Sequence, residues 1–175
     1  AIERLAAVCA SFVRPVQALY LMSPARGAGV GGQVAAFAWV VKNWVRPLGM
    51  RNLGLSCQLM GSGTAFPWKS IAGFPVANTE MAEDYKFGID LALSGYPAMF
   101  YPDAKVSSQF PARKSAEQTQ RTRWEHGHMQ LIFNEAPRLL WRGAMRRDAQ
   151  LMGVAADLIV PPLALLGLLL GSLLV

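Results

Sequence analysis

The stretch EDYKFGIDLALSGYPAMFYPDAKVSSQF, residues 83–110, indicates an α/β fold. Its first part reads as a helix. An acidic pair, Glu83-Asp84, lies in the first turn, where the helix dipole favours negative charge, and Gly95 is a natural stop. Two short apolar segments follow, 97–101 and 105–110, and each is a candidate strand. A helix followed by strands predicts a small sheet with helices packed against it.

The residues before this stretch continue the same alternation. Residues 1–13 and 33–45 have helical patterns, and a proline and a glycine just beyond 45 predict the end of the second helix. Residues 16–22 are a short apolar run that suits either a strand or a helix. Residues 53–60 are apolar enough for a buried strand, and Gly61-Ser62-Gly63 then turns the chain sharply.

The residues after it become basic and then apolar. Residues 117–134 read as a helix, and 137–150 as a basic amphipathic helix of the kind that lies in a membrane interface. Residues 151–175 carry one charged residue, Asp157, and predict a transmembrane helix whose preceding arginines place this end in the cytoplasm. A buried core helix is the alternative. The predicted domains are therefore 1–115, 116–150 and 151–175.

Composition narrows the function classes. The chain has 175 residues, of which 53% are hydrophobic and 16% charged, and the low charge favours a membrane contribution. All of the net charge of +6 lies between Lys105 and Arg147. A basic segment suits nucleic acid, anionic lipid or a nucleotide diphosphate, and it can equally be a solvated surface. His126 and His128 point in different directions on a helix, so they do not suggest a shared metal ion.

The segment Gly27-Ala28-Gly29-Val30-Gly31-Gly32 fits the G-x-G-x-x-G pattern of dinucleotide sites. Such a site also needs a preceding strand and an acidic residue about 20 positions later. The strand is doubtful because Pro24-Ala25-Arg26 intervenes. Asn52 stands near the position of the acid, and the first acid after the loop is Glu80. A flexible loop is the preferred interpretation.

Three motifs carry chemistry, and each has a plain structural explanation as well. Gln120, Arg123 and Trp124 share one helical face, which can bind a diphosphate and stack a sugar or base, or simply pack. Asp84 can act as a general base or interact with the helix dipole. The glycines of 61–63 admit a ligand close to the backbone, or permit a turn.

The order of these motifs, Gly61-Ser62-Gly63-Thr64, then Glu83-Asp84, then Gln120-Arg121-Thr122-Arg123-Trp124, resembles membrane-bound family-2 glycosyltransferases. That group includes cellulose, hyaluronan and chitin synthases and ceramide glucosyltransferase. The resemblance covers residues 58–175 and implies the acceptor-side part of a GT-A domain, followed by interfacial helices and a transmembrane helix. It implies an inverting enzyme that uses a nucleotide sugar, most simply a UDP-sugar, and a polysaccharide or lipid acceptor.

The resemblance also implies a role for each motif residue. Asp84 is the base that deprotonates the acceptor hydroxyl, and Glu83 supports it. Arg123 and Gln120 contact the diphosphate leaving group. Trp124 and the loop of Gly61, Ser62, Gly63 and Thr64 line the acceptor site.

One departure from the family is large, since no Asp-x-Asp metal motif occurs in the sequence. We therefore expect no metal ligands among these residues, and we expect the donor half of the domain to lie outside them. Mg²⁺ or Mn²⁺ is then expected only in a longer enzyme, and the piece alone is expected to be inactive. The expected partners are nucleotide sugar, glycan or lipid acceptor and membrane lipid, at the inner membrane with the catalytic part cytoplasmic. The alternative is a non-catalytic membrane-anchored module that binds anionic lipid. Nucleic-acid binding suits the charge but not the apolar C-terminal residues.

Overall fold

A computed structural model describes residues 2–73, 83–111 and 114–173. The described chain is a mixed α/β structure with a three-stranded sheet and flanking helices, as the sequence predicts, and this architecture fits part of a GT-A fold. Its elements in chain order are α1 (Ile2–Phe12), β1 (Val16–Ser23), α2 (Val30–Val40), a π-helical turn (Val41–Val45), α3 (Arg46–Asn52), β2 (Thr64–Ala65), α4 (Trp68–Ile71), α5 (Glu83–Leu93), β3 (Met99–Gln109), α6 (Lys114–Arg146), α7 (Ala149–Ile159) and α8 (Leu163–Ser172).

Strand β1 is the centre of the sheet, with β2 antiparallel on one side and β3 parallel on the other. The sequence predicts two strands in the region of β3, but the structure has one. The register steps from Ala18 opposite Tyr101 to Leu19 opposite Lys105, so residues 102–104 form a bulge. Pro102 has no N–H to donate to a ladder, which explains why the pairing is interrupted there rather than ended.

The buried strand predicted over 53–60 is wrong, because no strand forms there. Leu53 is 73% exposed, whereas Cys57 and Leu59 are buried in the core beside Phe100. This segment makes isolated backbone hydrogen bonds rather than a ladder. For example, the N–H of Cys57 donates to the carbonyl of Ala98 at 3.0 Å. The apolar residues of this segment are thus explained by burial of irregular structure. A buried apolar segment does not have to pair with a strand.

Two helices continue past the prolines that the sequence predicts as stops. The helical segment from Val30 runs through the π-helical turn and α3 to Asn52, with Pro47 near the start of α3. Helix α6 is one helix of 33 residues with Pro137 inside it, where the sequence predicts two. A proline removes a single backbone bond, and packing of the buried Ala136 and Leu139 in the core offsets that loss.

The structure does not show the single membrane helix that the sequence predicts over 151–175. The described part of this stretch, residues 151–173, belongs to two shorter helices, α7 and α8, separated at Pro161-Pro162, which lack backbone donors and disfavour helical conformation in the residue before them. Helix α7 packs in the core against α5 and α6, which is the alternative interpretation. Across 2–73, 83–111 and 114–173, no helix has both the length and the apolar character needed to cross a membrane.

Candidate functional site

The side chain of Gln17, on β1, fixes the glycine loop to the sheet. Gln17 is fully buried, and its amide nitrogen donates to the carbonyls of Ala18 at 2.9 Å and Ser62 at 2.8 Å. Its amide oxygen accepts from the N–H of Met60 at 2.9 Å and the hydroxyl of Thr64 at 2.8 Å. All four hydrogen-bonding positions of the amide are thus used, so residues 60–64 are held in one conformation.

Two glycines of this loop have left-handed backbone conformations and close neighbours. At Gly63, with φ +73°, a β-carbon would lie 2.7 Å from a methyl of Val106 and 3.1 Å from the β-carbon of Ala18. At Gly61, with φ +81°, a β-carbon would lie 2.5 Å from Oδ2 of Asp84. Only glycine fits either position, because an L side chain is both strained and obstructed there. The loop and the Asp84 carboxylate are therefore in contact.

Helix α5 places Asp84 at this loop. Asp84 is the second residue of the helix, and its side chain is exposed. One turn later, Gly88 lets the helix approach closely, since a β-carbon there would lie 3.1 Å from Leu59. Phe87 meets Phe66 with ring centroids 5.4 Å apart. These contacts on both sides of the loop fix the position of Asp84.

Trp124, in the QxxRW segment of α6, belongs to an aromatic cluster. It is half-buried against Trp39, with centroids 5.3 Å apart, and Trp39 also meets Tyr20 and Phe110 edge-on at 5.6 and 5.7 Å. The indole N–H of Trp39 donates to the carbonyl of Tyr20 at 3.1 Å. The cluster joins α2 and α6 to β1, and so gives Trp124 a fixed place.

A cation connects this cluster to the helix of Asp84. The ammonium nitrogen of Lys42 lies 5.7 Å from the ring centroid of Trp39 and 5.0 Å from that of Tyr85. Tyr85 in turn packs on the ring of His128 at 5.5 Å. Lys42 therefore lies between the elements that carry Asp84 and Trp124.

His128 is part of the core rather than of an open site. It is 7% exposed, and its Nε2 lies 3.0 Å from the carbonyl oxygen of Leu158. Burial, reinforced by the charges of Lys42 and Arg46, lowers the pKa of His128 to about 4 although the Leu158 hydrogen bond raises it. The imidazole is therefore neutral at physiological pH and packed within the core. His126 is exposed.

The described residues do not form a metal-binding site. In the residues that the structure describes, no three His, Cys, Asp or Glu side chains are grouped so that they could hold an ion. The described side chains therefore do not form a site for the Mg²⁺ or Mn²⁺ that the resemblance implies.

A comparison with protein families identifies the chain. The model described as "Glycosyl transferase family group 2" matches residues 11–175. The chain belongs to this glycosyltransferase family. No curated protein and no solved structure matches it. Membership in the family establishes glycosyl transfer in general, with a nucleotide-sugar donor and an acceptor. The strand that the sequence left doubtful before the G-x-G-x-x-G segment does form, as β1.

Within this glycosyltransferase, the structure brings some predicted site residues together. The loop of Gly61, Ser62, Gly63 and Thr64 meets Asp84 directly. Arg123 is exposed on α6 beside the half-buried Trp124. The side chains of Glu83 and Gln120 lie outside the described part of the structure.

Sequence reasoning missed three residues of the site: Gln17, Trp39 and Lys42. A lone Gln in an apolar run was the available signal for Gln17, because a buried amide needs partners. Trp39 and Lys42 lie in a segment that the sequence shows only as an apolar helix. Nothing in their spacing indicates that Trp39 packs on Trp124, 85 residues later, or that Lys42 contacts Tyr85, 43 residues later.

Proposed function

We propose that this glycosyltransferase transfers a sugar from a nucleotide sugar, most simply a UDP-sugar, to a hydroxyl of a polysaccharide or lipid acceptor, with inversion at the anomeric carbon. One observation carries the proposal: the exposed Asp84 carboxylate lies against Gly61 in a loop that is immobilised by Gln17. A carboxylate held against bare backbone is in the setting that a general base needs, because the acceptor hydroxyl can come within hydrogen-bond distance of it.

Each group then has one task. Asp84 takes the proton of the acceptor hydroxyl as its oxygen attacks the anomeric carbon and the bond to the nucleoside diphosphate breaks. Arg123, exposed on α6, donates to the diphosphate oxygens that gain charge, and Gln120 is assigned to the same diphosphate by the family resemblance. Trp124 and the loop 61–64 hold the acceptor, and Glu83 supports the turn that carries Asp84.

The proposed acceptor is membrane-bound, with the enzyme on the cytoplasmic side of the inner membrane. Helix α6 supports this: Trp141 and Met145 are 69% and 67% exposed, in a segment that also contains Arg138, Arg142 and Arg146. Exposed apolar side chains beside arginines suit the interface of an anionic membrane. The Mg²⁺ or Mn²⁺ of a complete enzyme stays an expectation of the family resemblance, with ligands outside the described residues.

The decisive experiment measures sugar transfer from UDP-sugars by the full-length enzyme. Asp84→Asn should lower kcat by roughly 100- to 10,000-fold, because it removes the base but preserves the shape of the side chain. Asp103→Asn, at an exposed position on β3, is the matched control. Full activity of Asp84→Asn would remove the proposed base.

The leaving-group contact has its own test. Arg123→Ala should raise the KM for the donor and lower kcat, whereas Arg51→Ala, at an exposed position at the end of α3, should leave both parameters near their original values. If Arg123→Ala and Arg51→Ala behave alike, Arg123 has no role in donor binding. A protein that binds anionic vesicles but transfers no sugar would favour the lipid-binding module instead.

A further inference from the structure

Two residues with donor groups, Lys42 and Gln58, line one small cavity, and neither has a role in the proposed reaction. The cavity lies between the π-helical turn, α5 and α7, and has about 10 Å³ for the centre of a water-sized sphere. That is room for about one oxygen atom. Its lining includes Lys42, Asn43, Gln58 and Tyr85.

Of the two cations that line the cavity, Arg46 is paired with a carboxylate and Lys42 is not, among the described residues. Asp157 also lines it, but this carboxylate is paired with Arg46 at 2.6 Å. Lys42 has no carboxylate partner among the described residues, and its contacts are the ring faces of Trp39 and Tyr85. An aromatic face attracts the ammonium charge but leaves its N–H donors available for a ligand.

Gln58 adds an independent sign of a ligand. Its amide nitrogen is buried, and no acceptor for it exists in the described part of the structure. A buried donor without an acceptor destabilises a fold roughly as much as a lost hydrogen bond does. Such a group therefore needs an explanation, and binding of a ligand is one. Lys42 and Gln58 thus bring a charged donor and a neutral donor to a cavity of one-oxygen size.

We infer that Lys42 and Gln58 together bind a phosphoryl oxygen of the nucleoside diphosphate. Two donors, one of them a cation without a carboxylate partner among the described residues, suit an anionic diphosphate oxygen better than a neutral acceptor hydroxyl, and the neighbouring elements carry Arg123 and Asp84. Lys42 contacts Trp39, which packs on Trp124, the residue directly after Arg123. On its other side Lys42 contacts Tyr85, the residue directly after Asp84. The inference rests on the proposed function, in which a diphosphate leaves between Asp84 and Arg123.

Equilibrium binding of UDP to the full-length protein, measured by calorimetry, tests the pair without requiring turnover. Lys42→Met should weaken UDP binding by roughly 10- to 100-fold, the range for loss of a hydrogen bond to a charged group. Lys42→Arg keeps the charge and should restore most of the affinity. Arg51→Met, an exposed cation at the end of α3, is the matched control and should bind UDP as the original protein does.

Gln58→Met separates a ligand-binding role from a structural one. It removes a buried donor that has no acceptor, so thermal stability should stay equal or rise while UDP binding weakens. A merely structural Gln58 would give the opposite result, with lower stability and unchanged UDP affinity. This variant also keeps the inference testable if Lys42→Met folds poorly.

The outcomes distinguish the inference from the function on which it rests. Unchanged UDP affinity in both Lys42→Met and Gln58→Met overturns the inference, even if the enzyme transfers sugar. A higher KM for the acceptor with unchanged UDP affinity overturns it as well, since the pair would then serve the acceptor. Weaker UDP binding in both variants of a protein that transfers no sugar supports the binding site and contradicts the proposed reaction.

Discussion

The carboxylate of Asp84 occupies the space that a β-carbon of residue 61 would need, since Oδ2 lies 2.5 Å from that position at Gly61. The two residues are 23 positions apart in sequence, and the contact joins the loop after the irregular segment to the first turn of α5. A glycine in the loop therefore sets where the carboxylate can stand.

Gly61→Ala should displace Asp84 and lower sugar transfer by roughly 10- to 100-fold, because a shift of about 1 Å in a catalytic group has effects of that size. Gly54→Ala is a close control: Gly54 also has a left-handed conformation, φ +71°, but a β-carbon there meets nothing within 4 Å. Both variants should lose about 1–2 kcal/mol of unfolding free energy from backbone strain. Equal activities of the two variants, measured alongside their stabilities, would contradict a positioning role for Gly61.

Gln17→Met should destabilise the fold by about 3 kcal/mol or more, because it removes all four hydrogen bonds of a buried amide to groups of residues 18 and 60–64. Thr64→Val removes only one of the four bonds and should cost about 1 kcal/mol. Chemical denaturation monitored by circular dichroism gives both values. A loss no greater for Gln17→Met than for Thr64→Val would show that the loop does not depend on the glutamine.

Acid should destabilise the protein through His128. Its folded pKa of about 4 lies below the ordinary value of 6.5, so the unfolded chain binds the proton more readily between these pH values. The stabilisation is complete above about pH 6.5 and is lost as the pH falls toward 4, by up to about 3 kcal/mol. Unfolding free energies of His128→Gln should depend less on pH over this window, whereas His126→Gln should follow the original protein. Parallel pH curves for all three proteins would remove His128 as the cause.

Asp157→Asn should cost about 2 kcal/mol, because it leaves the half-buried guanidinium of Arg46 without its carboxylate partner between α3 and α7. Asp90→Asn is the comparison. It breaks the Lys86–Asp90 pair within α5, and such neighbouring pairs on a helix contribute about 0.3–0.5 kcal/mol. Thermal unfolding measures the loss of stability in each variant. Equal losses of stability would mean that the Arg46–Asp157 pair does not stabilise the packing of α3 on α7.

Local patterns in the sequence predict much of the fold. The helix that begins at Glu83 and the one over residues 2–12 follow from apolar spacing, acidic first turns and stop residues. The sharp turn at 61–63 follows from its glycines. Each of these features depends on residues within one or two turns of one another, so no tertiary contact is needed to recognise it.

Tertiary packing decides the features that the sequence misses. Pro137 stays inside α6 because Ala136 and Leu139 are buried against neighbouring helices, and residues 53–60 are buried without joining a strand. At the site, Asp84 is recognisable from sequence, but its contact with Gly61 and the bonds of Gln17 join residues 23 to 47 positions apart. The role of Asp157 is invisible for the same reason, since Arg46 is 111 positions away.

The 33 residues of α6 also set a length scale for the molecule. Arg123 is the tenth residue of the helix and Arg146 the last, and a rise of 1.5 Å per residue separates them by roughly 35 Å along the axis. No small ligand reaches both. In the proposed membrane-bound arrangement, an arginine-rich end held at the membrane surface would keep Arg123 at a set distance from that surface, so acceptors would be selected by their reach as well as by their chemistry.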